Sequence, residues 1–153
     1  MAARLRFMPG GSGWAPIVDV AGYAAQRRLV RPITLSLPAG VEAALMPRRA
    51  RLPLLLLGAH APPDWKNVSV AHELGHLTLH QGPAGVPHPR STSRRTEWEA
   101  DQFAVELLLP DVLVARYALN AHGRIDDVAA RLVVPPAVLR RRLRELSAAR
   151  TPS

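Results

Sequence analysis

The 153-residue chain is long enough for one domain with a buried core and too short for two large ones. Apolar residues make up 48% of it, which excludes a wholly disordered chain, and it has no cysteine, which excludes disulfides, thiolate catalysis and Cys-based zinc sites. The formal net charge is +8, every basic residue but Lys66 is arginine, and no apolar run approaches membrane-spanning length.

Residues 1–16 contain Pro9-Gly10-Gly11-Ser12-Gly13 and read as a flexible leader. They carry arginines but no continuous apolar stretch of the signal-peptide kind, so a cytoplasmic location is expected. Asp19 is placed to cap a short helix running to about Arg28. Val41 to Met46 and Leu52 to Leu57 are short apolar runs on either side of Pro47-Arg48-Arg49-Ala50 and predict a β-hairpin. Pro53 sets the second strand to begin near that point or to lie at a sheet edge. The Leu52 to Leu57 run is either an edge strand open to an extended peptide or an ordinary buried strand.

Asn67 is expected to cap a helix from Val68 to about His80, ended by Gly82-Pro83. Residues 82–93 are rich in Pro, Gly, Ser and Arg and read as a loop. Ser93 is placed to cap a helix from Arg94 to Leu109 that Pro110 stops. Asp111 caps the next, stopped at Gly123, and Asp126 starts a short one to Leu132. Pro135-Pro136 introduces the last, from Ala137 to about Ala148, with proline in its first turn. The expected division is therefore a leader over 1–16, a catalytic-type core over 17–110, a helical part over 111–148 and a tail over 149–153.

His72-Glu73-Leu74-Gly75-His76 carries the chemistry. Two histidines four residues apart on a helix share one face, about 6 Å apart along the axis. Their imidazoles can then hold one tetrahedral zinc ion. Glu73 follows the first histidine and lies beside the metal, where it acts as general base toward a metal-activated water. The competing reading is a surface helix with two histidines. Val70, Leu74 and Leu77 give this helix a side to bury. Gly75 costs about 1 kcal/mol relative to alanine inside a helix. Unless merely tolerated, it marks close approach of another backbone or of substrate.

A catalytic zinc needs a third protein ligand and an open position. The helix expected from Arg94 to Leu109 offers Glu97, Asp101 and Glu99 beside a core stripe of Trp98, Phe103, Leu107 and Leu108. The pair His72-Glu73-Leu74-Gly75-His76 and Glu97-Trp98-Glu99-Ala100-Asp101-Gln102-Phe103-Ala104-Val105-Glu106-Leu107-Leu108-Leu109-Pro110 resembles the ImmA/IrrE family of metallo-endopeptidases, which are Glu-zincins. The similarity covers residues 38–147. Residues 1–37 match the family poorly, and the N-terminal repressor-type helix-turn-helix frequent in it is not expected in them.

The resemblance implies an α+β, zincin-like minimal domain, with a small hairpin or sheet packed on the HExxH helix and helices after it. It implies one zinc ion held by His72, His76 and Glu97, with Glu73 catalytic and Asp101 supporting a ligating histidine. Glu99 is the alternative third ligand. The implied substrate is a protein, typically a helix-turn-helix repressor cut at a limited site, in stress response or mobile-element control.

Several features stay open. His80 follows His76 by four residues and is either an extra ligand or a histidine interacting with the helix C-terminus. His60, His88, His122 or Tyr117 could stabilise an oxyanion. Asp127 to Leu146 reads as helix, turn, helix, with Arg140, Arg141, Arg142 and Arg144 crowding its second helix. Nucleic-acid binding ranks below a solvated face or a protein dock there, because the turn lacks glycine and Leu139 and Leu143 demand burial. The alternatives to a peptidase are a non-catalytic metal-bound regulatory or DNA-binding module, and a helical protein with no metal.

Overall fold

Local signals in the sequence start most of the elements. In the computed structural model, which describes residues 15–48, 50–80, 93–120 and 124–149, Asp19 caps α1 (Val20–Gln26) by accepting the Gly22 N–H at 2.9 Å. Three strands follow: β1 (Arg31–Leu35), β2 (Ala43–Met46) and β3 (Leu54–Gly58). Helix α2 (Pro63–Leu79) carries the two histidines, and α3 (Arg94–Leu108) carries the carboxylates. The remaining helices are α4 (Asp111–Asn120), α5 (Ile125–Leu132) and α6 (Pro136–Ala149). Most of the expected leader, residues 82–92 of the expected loop, Gly123, His88 and His122 lie outside the described residues.

The fold is α+β, as expected, and the predicted hairpin is present. β2 and β3 pair antiparallel, with Ala43 opposite Leu57 and Met46 opposite Leu54. A strand with no sequence expectation, β1, joins β3 in parallel from Arg31 opposite Leu54 to Leu35 opposite Gly58. The strand order is β1-β3-β2. This settles the Leu52 to Leu57 question: β3 is the central strand, with Leu55 fully buried, and β2 is the outer strand on the side of α2.

Helix α2 begins earlier than Asn67 predicts. Pro62 stands at the cap and Pro63 in the first turn, where a missing N–H costs nothing. Asn67 is therefore inside the helix and buried. Its Oδ1 accepts the Val20 N–H at 2.9 Å, and its Nδ2 donates to the carbonyls of Ile17 at 3.1 Å and Val133 at 3.2 Å. One amide so ties α2 to the approach to α1 and to the turn between α5 and α6. At that turn Val133 takes a left-handed conformation, φ 51°, where a glycine is usual.

The buried face of α2 is Val70, Ala71, Leu74 and Leu77, facing Phe103, Ala104 and Leu107 of α3 in one continuous core cluster, while Trp98, expected in the core stripe of α3, is instead 58% exposed. Each large apolar side chain buried there stabilises by about 1.5–3 kcal/mol. Ser93 caps α3, accepting the Thr96 N–H at 3.1 Å. α5 starts one residue before Asp126, with Arg124 at its cap and no side-chain cap hydrogen bond.

The basic run on α6 is largely committed within the chain. Arg142 is buried. Its Nε donates to the Leu109 carbonyl at 3.1 Å, and its Nη2 meets Glu106 at 2.5 Å and Asp111 at 2.6 Å. Arg140 pairs with Asp126 at 2.9 Å and Arg141 with Glu145 at 2.9 Å. Among the described residues, no helix is long and apolar enough to cross a membrane.

Candidate metal centre

The spacing of the two histidines becomes a geometry once α2 forms. His72 Nε2 and His76 Nε2 lie 3.0 Å apart on one face. α3 crosses this face with Glu97 Oε2 at 3.2 Å from His72 Nε2 and 3.5 Å from His76 Nε2. A tetrahedral ion with donors at about 2.0–2.1 Å keeps those donors about 3.3–3.4 Å apart. The three separations bracket that value, and among the described residues His72, His76 and Glu97 are the group able to hold a metal ion. Two neutral imidazoles and a carboxylate are also the donor chemistry that suits a divalent ion of the zinc type.

Gly75 explains how α3 comes this near. A Cβ at Gly75 would stand 2.9 Å from Ala100 Cα, 3.0 Å from its carbonyl oxygen and 3.2 Å from Phe103 Cβ. The glycine lies between the histidines in sequence, and Ala100 lies between Glu97 and Asp101. The two helices are therefore in close backbone contact at the level of the site. The two glycine readings resolve in favour of backbone contact.

The neighbouring carboxylates make separate contacts. Asp101 Oδ1 lies 2.8 Å from His72 Nδ1, on the far side of the ring from Glu97. Glu99 does not join the donor group. Its Oε1 accepts from Arg95 Nε at 2.8 Å and its Oε2 lies 3.0 Å from His80 Nε2. These contacts, Arg95 first and then His80, hold the Glu99 carboxyl below its ordinary pKa, and the same pairing raises Arg95. Burial, reinforced by His72, lowers the His76 imidazole, with Glu97 opposing. The neutral imidazole is the ligating form.

His80 forms the C-terminal cap of α2, its backbone N–H donating to the His76 carbonyl at 3.0 Å. Its ring turns to His76 and Glu99 rather than to the three-donor group.

Glu73 is held by the sheet. Its Oε2 accepts the Leu45 N–H of β2 at 3.1 Å, which ties the carboxylate to the strand. No side-chain signal in the sequence marks Leu45, because the contact uses its backbone. An open cleft of about 500 Å³ adjoins Glu73 and His72 and is walled by Trp65, Val68, Pro62 and Ala43. Trp65 is 44% exposed there.

Comparison with known proteins identifies the family. The chain is 42% identical over 69 residues to "Uncharacterized immunity region protein 2" of Bacillus phage phi105, a stretch spanning 42% of this chain and 42% of that protein. The family described as Peptidase_M78, IrrE N-terminal-like domain, matches residues 32–144, from β1 to α6. This family is metal-dependent and its activity is of the metallopeptidase type. With most of its length matched, the chain belongs to the Peptidase_M78 family.

Proposed function

We propose that the protein is a zinc-dependent endopeptidase in which His72, His76 and Glu97 hold one ion and Glu73 is the general base. The observation that carries this reading is the convergence of three donor atoms at 3.0, 3.2 and 3.5 Å from one another, with Glu73 lining the same cleft as His72. When bound, a divalent ion at this set supplies Lewis-acid polarisation of a carbonyl and acidifies water.

The chain's own groups supply the rest. The Glu73 carboxylate, held by the Leu45 N–H, accepts a proton from water and passes it to the leaving amine nitrogen. Asp101 accepts the His72 Nδ1–H, which fixes that ring with Nε2 toward Glu97. Glu99 is committed to Arg95 and His80, which favours Glu97 over Glu99 as the third ligand. β2 is an outer strand, and an extended substrate segment adds along it by main-chain hydrogen bonds to edge groups other than the Leu45 N–H, which Glu73 holds.

The substrate in this reading is a cytoplasmic helix-turn-helix repressor, cut at a limited site. A phage relative named for an immunity region fits that setting. The test is incubation of the zinc-loaded chain with such a repressor, followed by mass analysis of the products. The unaltered chain is expected to give a small set of fragments. Glu73→Gln is expected to keep the metal and give none. A Glu73→Gln variant with metal bound and full cleavage would rule the mechanism out.

A further inference from the structure

The two histidines of the proposed site are backed differently. His72 has a carboxylate directly behind it, Asp101 Oδ1 at 2.8 Å from Nδ1. Behind His76 stands another imidazole, with His80 Nδ1 at 3.0 Å from His76 Nδ1. Two neutral imidazole nitrogens this close require one to carry the proton and the other to accept it.

The direction follows from the rest of the ring. His76 Nε2 lies among the donors, and a nitrogen that offers a lone pair to an ion carries no hydrogen. The His76 proton is then on Nδ1, and His80 Nδ1 accepts it. That places the His80 proton on Nε2, where Glu99 Oε2 accepts it at 3.0 Å. The second Glu99 oxygen accepts from Arg95 Nε at 2.8 Å. Every contact in this order joins a hydrogen to a lone pair. With neutral rings, the reverse order sets a bare His80 Nε2 against a carboxylate oxygen.

We propose that His80 and Glu99 are positioning residues for His76, a relay anchored by Arg95 that fixes the metal-facing tautomer of His76 as Asp101 fixes that of His72. The proposal rests on the metal reading above. It assigns His80 a role distinct from both a fourth ligand and a helix-end charge. The relay also couples the C-terminus of α2 to the first two turns of α3, because His80 ends one helix and Arg95 and Glu99 begin the other.

The experiment is competition for zinc between a chromophoric chelator and the full chain, with nitrogen-detected NMR of the histidines in the zinc-loaded unaltered protein. His80→Leu is expected to weaken zinc binding about 10–100-fold. Glu99→Ala weakens it less, and Glu99→Gln retains most of the affinity because its amide oxygen still accepts from His80. The NMR spectrum is expected to show His80 protonated on Nε2 and accepting at Nδ1. A folded His80→Leu variant with unaltered zinc affinity would overturn the relay while leaving the metal site standing. So would His80 protonated on Nδ1 alone in the unaltered chain, a readout that does not depend on any variant folding. Failure of the unaltered chain to bind zinc would overturn the metal reading and the relay together.

Discussion

Gly75 of α2 lies against Ala100 of α3 so closely that a side chain at position 75 would meet the Ala100 backbone at 2.9 Å. The contact sits between the two histidines on one helix and between Glu97 and Asp101 on the other. The separation that brings three donors together therefore leaves no room for a methyl group at position 75.

Gly75→Ala tests this. Alanine adds about 1 kcal/mol of helix propensity. It also forces a backbone contact apart, which costs about 1–3 kcal/mol in an already packed core. The expected net effect is a loss of up to about 2 kcal/mol by urea unfolding of the metal-free chain. Zinc affinity should fall with it, because α3 is displaced at the level of Glu97. A stabilised variant with unchanged zinc affinity would show that the helix spacing is not set there.

Asp101 is half exposed, with 51% of its side chain accessible, so its removal leaves little buried space. Asp101→Ala is expected to leave the metal-free melting temperature nearly unchanged while weakening zinc about 10–100-fold through the freed His72 ring. Chelator competition and thermal melting on the same preparation separate the two effects. Equal zinc affinity in the variant would remove Asp101 from the site.

Arg142 makes the opposite prediction. Its guanidinium is buried and joins α6 to Glu106 of α3, to Asp111 of α4 and to the Leu109 carbonyl. Glu106 and Asp111 are more than half exposed, so water stabilises them when the arginine is removed. The loss in Arg142→Met is then below the 3–5 kcal/mol of a fully buried pair, about 2 kcal/mol. It should appear in urea unfolding with zinc affinity unchanged, since the ion-pair partners do not reach the histidines.

The elements legible in the sequence were those with local causes. Asp19 and Ser93 announce their helices because a short acceptor side chain precedes an apolar pattern, and Pro136 announces α6 because proline's fixed φ and missing N–H suit a first turn. The histidine pair was legible because helical spacing alone determines a shared face, whereas the carboxylate helix offered Glu97, Glu99 and Asp101 alike and only the resemblance to the ImmA/IrrE family singled out Glu97. β1 was not. Arg31 to Leu35 is short and largely exposed, and its pairing with β3 is parallel and remote in sequence. Asn67 looked like a cap because its residue type favours caps, yet Pro62-Pro63 starts the helix earlier and leaves the amide to join three distant backbone groups. The grip of Leu45 on Glu73 and the turning of His80 toward Glu99 depend on tertiary placement, which no local pattern encodes.

The most direct measurement is zinc titration of the metal-free chain beside Glu97→Ala and Glu73→Gln, read by calorimetry. The account predicts one zinc per chain for the unaltered protein and for Glu73→Gln, and loss of tight binding in Glu97→Ala. Zinc binding in Glu97→Ala equal to that of the unaltered chain, or no binding by the unaltered chain, would contradict it.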